Sequence, residues 1–313
     1  MLVIDNLTKY YGDFCALDHI SMHIAKGDLF GFVGPNGAGK TTTLKILSGL
    51  IRPDEGTVMM DGKNLLTDIK KLKSDIGYMP DFFGTYDNLK VIEYMRFFAS
   101  IYRLDGLRAD AVIERLLKLV HMEDRKNQYV DELSRGLKQK LCLARCLIHN
   151  PKLLILDEPF SGLDPAARIE VREILKKLCN DGKTIIISSH ILSELAEMCT
   201  HLGIIQNGRI IANNTVTAIM DLQNASKPLI ITVCDKIEEA VKLCRIQNYV
   251  ENLSHTENEI RLSFSGTAEE AASLLSVLVA AGIPVCGFKK ETTSLESLFI
   301  RLTEHKEVDA GEP

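Results

Sequence analysis

Residues 34–41 read Gly-Pro-Asn-Gly-Ala-Gly-Lys-Thr, a full match to the pattern G-x-x-x-x-G-K-[ST]. No other stretch of the chain constrains its fold as tightly. Residues 28–33 before it are apolar and strand-like, and residues 42–50 after it carry apolar side chains at helical spacing. Strand, glycine loop and helix in that order are the context the pattern needs. The glycines let the backbone curl until successive N–H groups face one concavity, and the helix N-terminus adds positive potential. Gly34, Pro35, Asn36, Gly37, Ala38, Gly39, Lys40, Thr41 and Thr42 would then surround a phosphate chain. Lys40 reaches the β- and γ-phosphates, and the Thr41 hydroxyl ligates Mg²⁺. A glycine-rich turn without a ligand is the plain alternative. The complete pattern in its strand–helix frame favours a nucleoside triphosphate.

The first two-thirds of the chain alternates strand-like and helix-like segments. Residues 2–7 and 19–24 read as antiparallel strands around a polar turn at Gly12 and Asp13, and 56–60 as a further strand. Residues 89–121 read as helical with few interruptions. Residues 152–157 and 184–189 are continuous apolar runs, the mark of parallel strands buried on both faces. The first run ends in two carboxylates, Asp157 and Glu158. An aspartate there holds Mg²⁺ directly or through water, and the next residue orients an attacking water. Alone, such a pair is more often a helix N-cap; a phosphate loop upstream changes that weighting.

Residues 133–140, Leu-Ser-Arg-Gly-Leu-Lys-Gln-Lys, run into a helical segment, and Ser134 suits a helix N-cap. With the phosphate loop and the Asp157–Glu158 pair, this segment makes residues 2–223 resemble an ATP-binding cassette (ABC) ATPase. It resembles the family's signature Leu-Ser-Gly-Gly-x-x-x-Arg: Ser134 and Gly136 match, and Arg135 replaces the first glycine. The resemblance implies an α/β P-loop NTPase fold with an antiparallel β subdomain and a helical subdomain, ATP and Mg²⁺ as cofactors, and ATP hydrolysis. It makes Glu158 the general base, Asp157 the Mg²⁺-associated aspartate and His190 the switch residue on the γ-phosphate. Tyr11 becomes the aromatic stacked on adenine, with a strand-edge tyrosine as the alternative. Residues 161–164 resemble the D-loop. Residues 76–81 resemble the Q-loop, with Asp81 where glutamine is usual; there Asp81 is a metal ligand or the cap of a turn after Pro80. The resemblance also implies two cassettes head to tail, each ATP lying between one phosphate loop and the partner's Ser134 and Gly136.

Past a polar linker at residues 221–228 the rhythm shortens. Residues 229–233, 237–246, 250–255, 259–265, 267–282 and 284–290 read β, α, β, β, α, β, the order of a split βαβ, ferredoxin-like α+β domain. The domains are expected at 1–223 and 224–304, with a flexible tail at 305–313. A short amphipathic helix is expected at 294–302, and this ending resembles those of exporter cassettes.

Composition trims the function classes. A formal net charge of −5 argues against binding driven by nucleic-acid phosphate. No uninterrupted apolar stretch of about 18 residues exists, the longest candidate at 271–288 being broken by Gly282, Pro284 and Gly287, and the N-terminus lacks the basic start of a signal peptide. Eight cysteines are scattered, and Cys142 and Cys146 read as core residues, not metal ligands. The expectation is the ATPase subunit of an exporter at the cytoplasmic face of the membrane. Its partners would be separate transmembrane permease subunits and a second cassette, identical or paralogous, with Phe82, Phe83 and Tyr86 as a docking surface or as internal packing. A soluble ABC ATPase acting on nucleic acid or ribosomes is the alternative, and a nucleotide-binding regulator without useful turnover is a third class. Residues 42–133 lack the sustained heptads expected of a DNA-repair member.

Overall fold

Apolar residues alternating along β1 (Leu2–Tyr11) and β2 (Phe14–Ile24) fold these strands into an antiparallel hairpin around Gly12 and Asp13. The structure is a computed structural model that describes residues 1–67, 73–82, 84, 88–219 and 228–290. Strand β4 (Glu55–Met60) pairs with the free edge of β1, and β5 (Lys63–Asn64) pairs with β4. This antiparallel sheet runs β2-β1-β4-β5.

A second sheet runs β10-β9-β3-β8-β7-β6. Its members are β3 (Leu29–Val33), β6 (Ile76–Met79), β7 (Leu153–Asp157), β8 (Thr184–Ser189), β9 (His201–Gln206) and β10 (Arg209–Thr215). All are parallel except β10. Every residue of β3, β7 and β8 is buried, which is why these strands read as unbroken apolar runs. The β9–β10 hairpin is an addition to the sequence reading. Its signal was there: Asn207 (φ 47°) and Gly208 (φ 75°) form the Asn-Gly turn whose twist suits a two-residue hairpin.

Helix α1 spans Lys40–Leu47, shifted from the expected 42–50. Gly49 N–H to Ile46 O and Leu50 N–H to Lys45 O close its last turn and end it early. Between β6 and β7 lie α2 (Val91–Ile101), α3 (Gly106–Leu119) and α4 (Arg135–Cys146). The expected helical stretch 89–121 is broken between α2 and α3, where Arg103 takes φ 59°. Ala109, Ile113, Leu116 and Leu117 are the buried face of α3, one stripe at helical spacing. Cys142 and Cys146 are both buried in α4, as core residues. Helices α5 (Pro165–Asn180) and α6 (Leu192–Ala196) follow β7 and β8. One core joins the two sheets: Leu2, Leu17 and Val58 on one side, Phe30, Ile155 and Ile186 on the other, and Leu44 and Ile46 of α1 among them. Each such side chain contributes about 1.5–3 kcal/mol by burial, so α1 is fastened beneath the loop that precedes it.

The chain divides into two compact units, Met1–Val216 and Thr217–Pro313. In the second, β11 (Pro228–Val233), α7 (Ile237–Arg245), β12 (Val250–His255), β13 (Glu259–Phe264), α8 (Ala268–Ala280) and β14 (Val285–Lys290) form a sheet ordered β12-β13-β11-β14. All its pairings are antiparallel. This is the split βαβ arrangement expected from the element order. Leu229, Ile231, Ile260 and Leu262 pack against Ala240 and Val241 of α7 and Leu274 and Leu278 of α8. Pro228 opens β11 and does not close the linker; the first strand position tolerates a missing N–H. The expected boundary at 223/224, the helix at 294–302 and the tail at 305–313 lie outside the described residues.

Candidate functional site

Three neighbouring parallel strands end at one edge. Val33 of β3 is level with Ser189 of β8, and Ser188 is level with Asp157 of β7. The loop at 34–39, Glu158 and His190 therefore leave the sheet side by side, beyond the carboxyl ends of its strands, where open α/β sheets bind ligands.

The loop is shaped by close approach. Gly39 caps α1 at φ 109°, and a Cβ there would lie 2.7 Å from Leu17 Cδ2 and 2.8 Å from the Ala16 carbonyl oxygen. Only glycine fits that corner. Pro35, Asn36, Gly37 and Thr41 are exposed, Gly34 and Ala38 buried, and Thr42 half-buried. Lys40 is buried, and its Nζ donates to the Gly34 carbonyl at 2.6 Å and the Pro35 carbonyl at 3.1 Å. These bonds hold the ammonium within the curl of the loop. Burial lowers the Lys40 pKa, and the negative charges of Glu158 and Asp157 oppose that shift.

Asp157 is 1% exposed. Its Oδ1 accepts from Ser188 Oγ at 2.6 Å, and the same hydroxyl accepts from the Glu158 N–H at 3.0 Å. Ser188 thus ties both acidic residues to β8. Glu158 takes a left-handed backbone, φ 49°. Its carboxylate meets His190 Nδ1 at 3.0 and 3.2 Å and stands 4.0 Å from Lys40 Nζ. Burial raises its pKa; the bond from His190 and the Lys40 charge pull the other way. A part-buried carboxylate of raised basicity, oriented by an imidazole, is suited to accept a proton. Asp157 and the Thr41 hydroxyl offer the hard oxygen donors that Mg²⁺ favours. The helix-cap alternative for this acidic pair is excluded: Asp164 caps α5, accepting from the Ala167 N–H at 2.9 Å.

The structure therefore gathers Lys40, Asp157, Glu158 and His190. Ser134 caps α4 by accepting from the Leu137 N–H at 3.4 Å, and Gly136 lies in the first turn behind it. The neighbouring Arg135 bonds to Ser161, so this segment faces the loop at 161–164. Tyr11 ends β1, half exposed, with Lys9 Nζ 5.8 Å from its ring centroid. Asp81 follows β6, the neighbour of β7, and is exposed at the same edge. Phe82 beside it is 89% exposed, while Phe83 and Tyr86 lie outside the described residues. A cleft of about 850 Å³ between α3 and α5, lined by Leu116, Leu119, Ile169 and Leu178 among others, contains none of these residues. Phosphate recognition by a loop backbone needs an open concavity, not a deep cavity.

Residues 17–161 match the family described as ABC transporter. The chain is 35% identical to the uncharacterized ABC transporter ATP-binding protein YhcH of Bacillus subtilis (strain 168), across 97% of this chain and 96% of that one. The chain belongs to the ABC transporter ATP-binding protein family. This ABC protein is also 34% identical to the bacitracin transport ATP-binding protein BcrA of Bacillus licheniformis, over 95% of each chain. It superposes on the dimeric post-hydrolysis cassette MJ0796 bound to ADP and Pi with a TM-score of 0.64 at 26% identity, covering 69% of this chain and 99% of that one. Its cassette is an ATPase unit that binds ATP. Sequence reasoning missed Ser188 in this ABC ATPase. The available signal was a pair of serines closing an otherwise aliphatic strand immediately before His190.

Proposed function

We propose that this ABC ATPase drives export through separate transmembrane permease subunits, bound to them at the cytoplasmic face of the membrane as one of two paired cassettes. The observation that carries the reading is the reach of the similarity: the match to a bacitracin transport protein runs through 95% of both chains, so it includes the second unit. Among the described residues no helix is long and apolar enough to cross a membrane. Relatives named for transport leave the alternative on nucleic acid or ribosomes without support. Residues 1–223 would form the nucleotide-binding domain, 224–304 an accessory domain and 305–313 its tail.

Within the cassette, residues 34–42 bind the phosphates and Lys40 offsets the β/γ charge. The Glu158 carboxylate takes the proton of the attacking water, and His190 keeps that carboxylate aimed while reaching the γ-phosphate. Tyr11 stacks on the adenine. Ser134 and Gly136 complete the partner cassette's site. Thr41, Asp157 and Asp81 would be the protein-side oxygen donors to Mg²⁺, which would supply neutralisation of phosphate oxygens. Few protein ligands suffice for an ion that keeps waters and substrate phosphates. Replacing Asp81 by glutamine is expected to change the Mg²⁺ concentration giving half-maximal turnover by roughly several-fold, with tighter apparent Mg·ATP binding as a negative charge leaves. Identical Mg²⁺ titrations of the two proteins would return Asp81 to a turn cap.

The export reading is tested by co-expressing the chain with the membrane protein encoded beside it and reconstituting the pair in liposomes. Co-purification and stimulated ATP hydrolysis are expected, with substrate leaving the cassette side. Stimulation by RNA or ribosomes but not by the membrane protein would overturn it.

A further inference from the structure

Arg135 stands where the resembled signature carries glycine, and it does more than fill that place. It is the first residue of α4, and its Nη2 donates to Ser161 Oγ at 2.9 Å. Gln139, one turn further along α4 and 3% exposed, directs its Nε2 to the Ser161 carbonyl at 3.5 Å. Helix α4 therefore engages both the side chain and the backbone of Ser161. The Ser161 N–H donates in turn to the Glu158 carbonyl at 3.0 Å, closing the turn that follows the acidic residue. Glu158 is thus bonded on both sides of its left-handed backbone, through its N–H to Ser188 and through its carbonyl to Ser161. A left-handed non-glycine residue persists where its neighbours over-determine it.

The next residue records the same contact from the other side. Gly162 takes φ 72°, and a Cβ built there would lie 2.4 Å from Arg135 Nε and 2.5 Å from its Cδ. The arginine side chain occupies the volume a larger residue at 162 would need. The fit is reciprocal, and its arginine half stands at the signature position.

We propose that Arg135 is a positioning residue for hydrolysis: through Ser161 it fixes the turn behind Glu158 and so the aim of that carboxylate. The proposal rests on the ATPase reading above and adds to it a residue that acts through Ser161 and not on the reacting atoms of its own site. An aiming role changes the chemical step more than nucleotide affinity.

The test is steady-state ATP hydrolysis by the full chain, with Arg135→Ala, Arg135→Lys, Ser161→Ala and Gly162→Ala measured singly, and Arg135→Ala combined with each of the last two. Arg135→Ala and Ser161→Ala are each expected to lower kcat roughly tenfold with KM for ATP within about twofold. Their combination should cost little more than either alone, because the two residues act through one bond. Arg135→Lys keeps the charge but not the planar fork and should remain impaired. Gly162→Ala should lower kcat in the wild-type background and lower it less beside Arg135→Ala, where the colliding side chain is gone. If Arg135→Ala fails to fold, as read by circular dichroism, Ser161→Ala carries the kcat test alone. Wild-type kcat in either single variant, a loss confined to KM, or additive losses in the Arg135–Ser161 pair would overturn the proposal. Glu158→Gln serves as the control: full hydrolysis in that variant removes Glu158 from the base role on which the proposal rests, whereas its inactivity beside a fully active Arg135→Ala sinks only the role of Arg135.

Discussion

Glu158→Gln is expected to slow ATP hydrolysis by at least ~10²-fold while leaving ATP binding intact. The amide keeps the shape of the side chain and the hydrogen bond within reach of His190, but it cannot take a proton from water. Bound ATP then persists, and size-exclusion chromatography with ATP and Mg²⁺ should show a dimer that is rare in the wild type. Unchanged turnover would remove Glu158 from the catalytic role. As the proposed base, the same side chain is expected to set the acid limb of the wild-type pH profile. Burial raises its pKa, and the bond from His190 is the largest opposing influence. With the ionised carboxylate as the proposed base, turnover is expected above that raised pKa and lost as pH falls through it. His190→Ala removes the opposing bond and should move the acid limb of kcat to higher pH.

Lys40→Ala is expected to weaken triphosphate binding by roughly 10–100-fold, the loss of one charge-assisted contact to the β/γ-phosphates. The wild-type amine is already desolvated and held by two carbonyls of its own loop. Little further cost is needed to bring it to a phosphate, so most of its attraction is available for binding. Titration with a fluorescent ATP analogue checks this directly. Near-native affinity in a folded variant would contradict the phosphate-loop assignment.

What the sequence disclosed, and what it withheld, divides along physical lines. Strands β3, β7 and β8 were legible because burial on both faces leaves them no polar positions, and the loop at 34–41 because its chemistry depends on residues adjacent in the chain. The βαββαβ unit was legible for a similar reason: each of its elements carries its own period, and Thr267 and Glu270 box the start of α8. Ser188 was not, since a serine ending a strand looks the same whether it faces solvent or ties two carboxylate residues together. Its meaning depends on β7 lying alongside β8. The Arg135–Ser161 bond joins segments separated by a helix and a strand, and no spacing rule connects them. Arg103 breaks the helical stretch through one backbone angle, which a hydrophobic pattern does not register.

Pro35, Asn36, Gly37 and Thr41 are exposed, and the His190 side chain is about half exposed (52%). The nucleotide site of a single chain is therefore a ledge, open to water along one flank. Water at that flank weakens every charge interaction with the phosphates and leaves the attacking molecule poorly chosen among many. Turnover by such a ledge becomes a property of encounter: specific activity should climb with protein concentration and level off once most chains are covered. In the proposed complex with permease subunits that concentration would be fixed locally, so the rate of hydrolysis would report how near two cassettes are held and not how many are present.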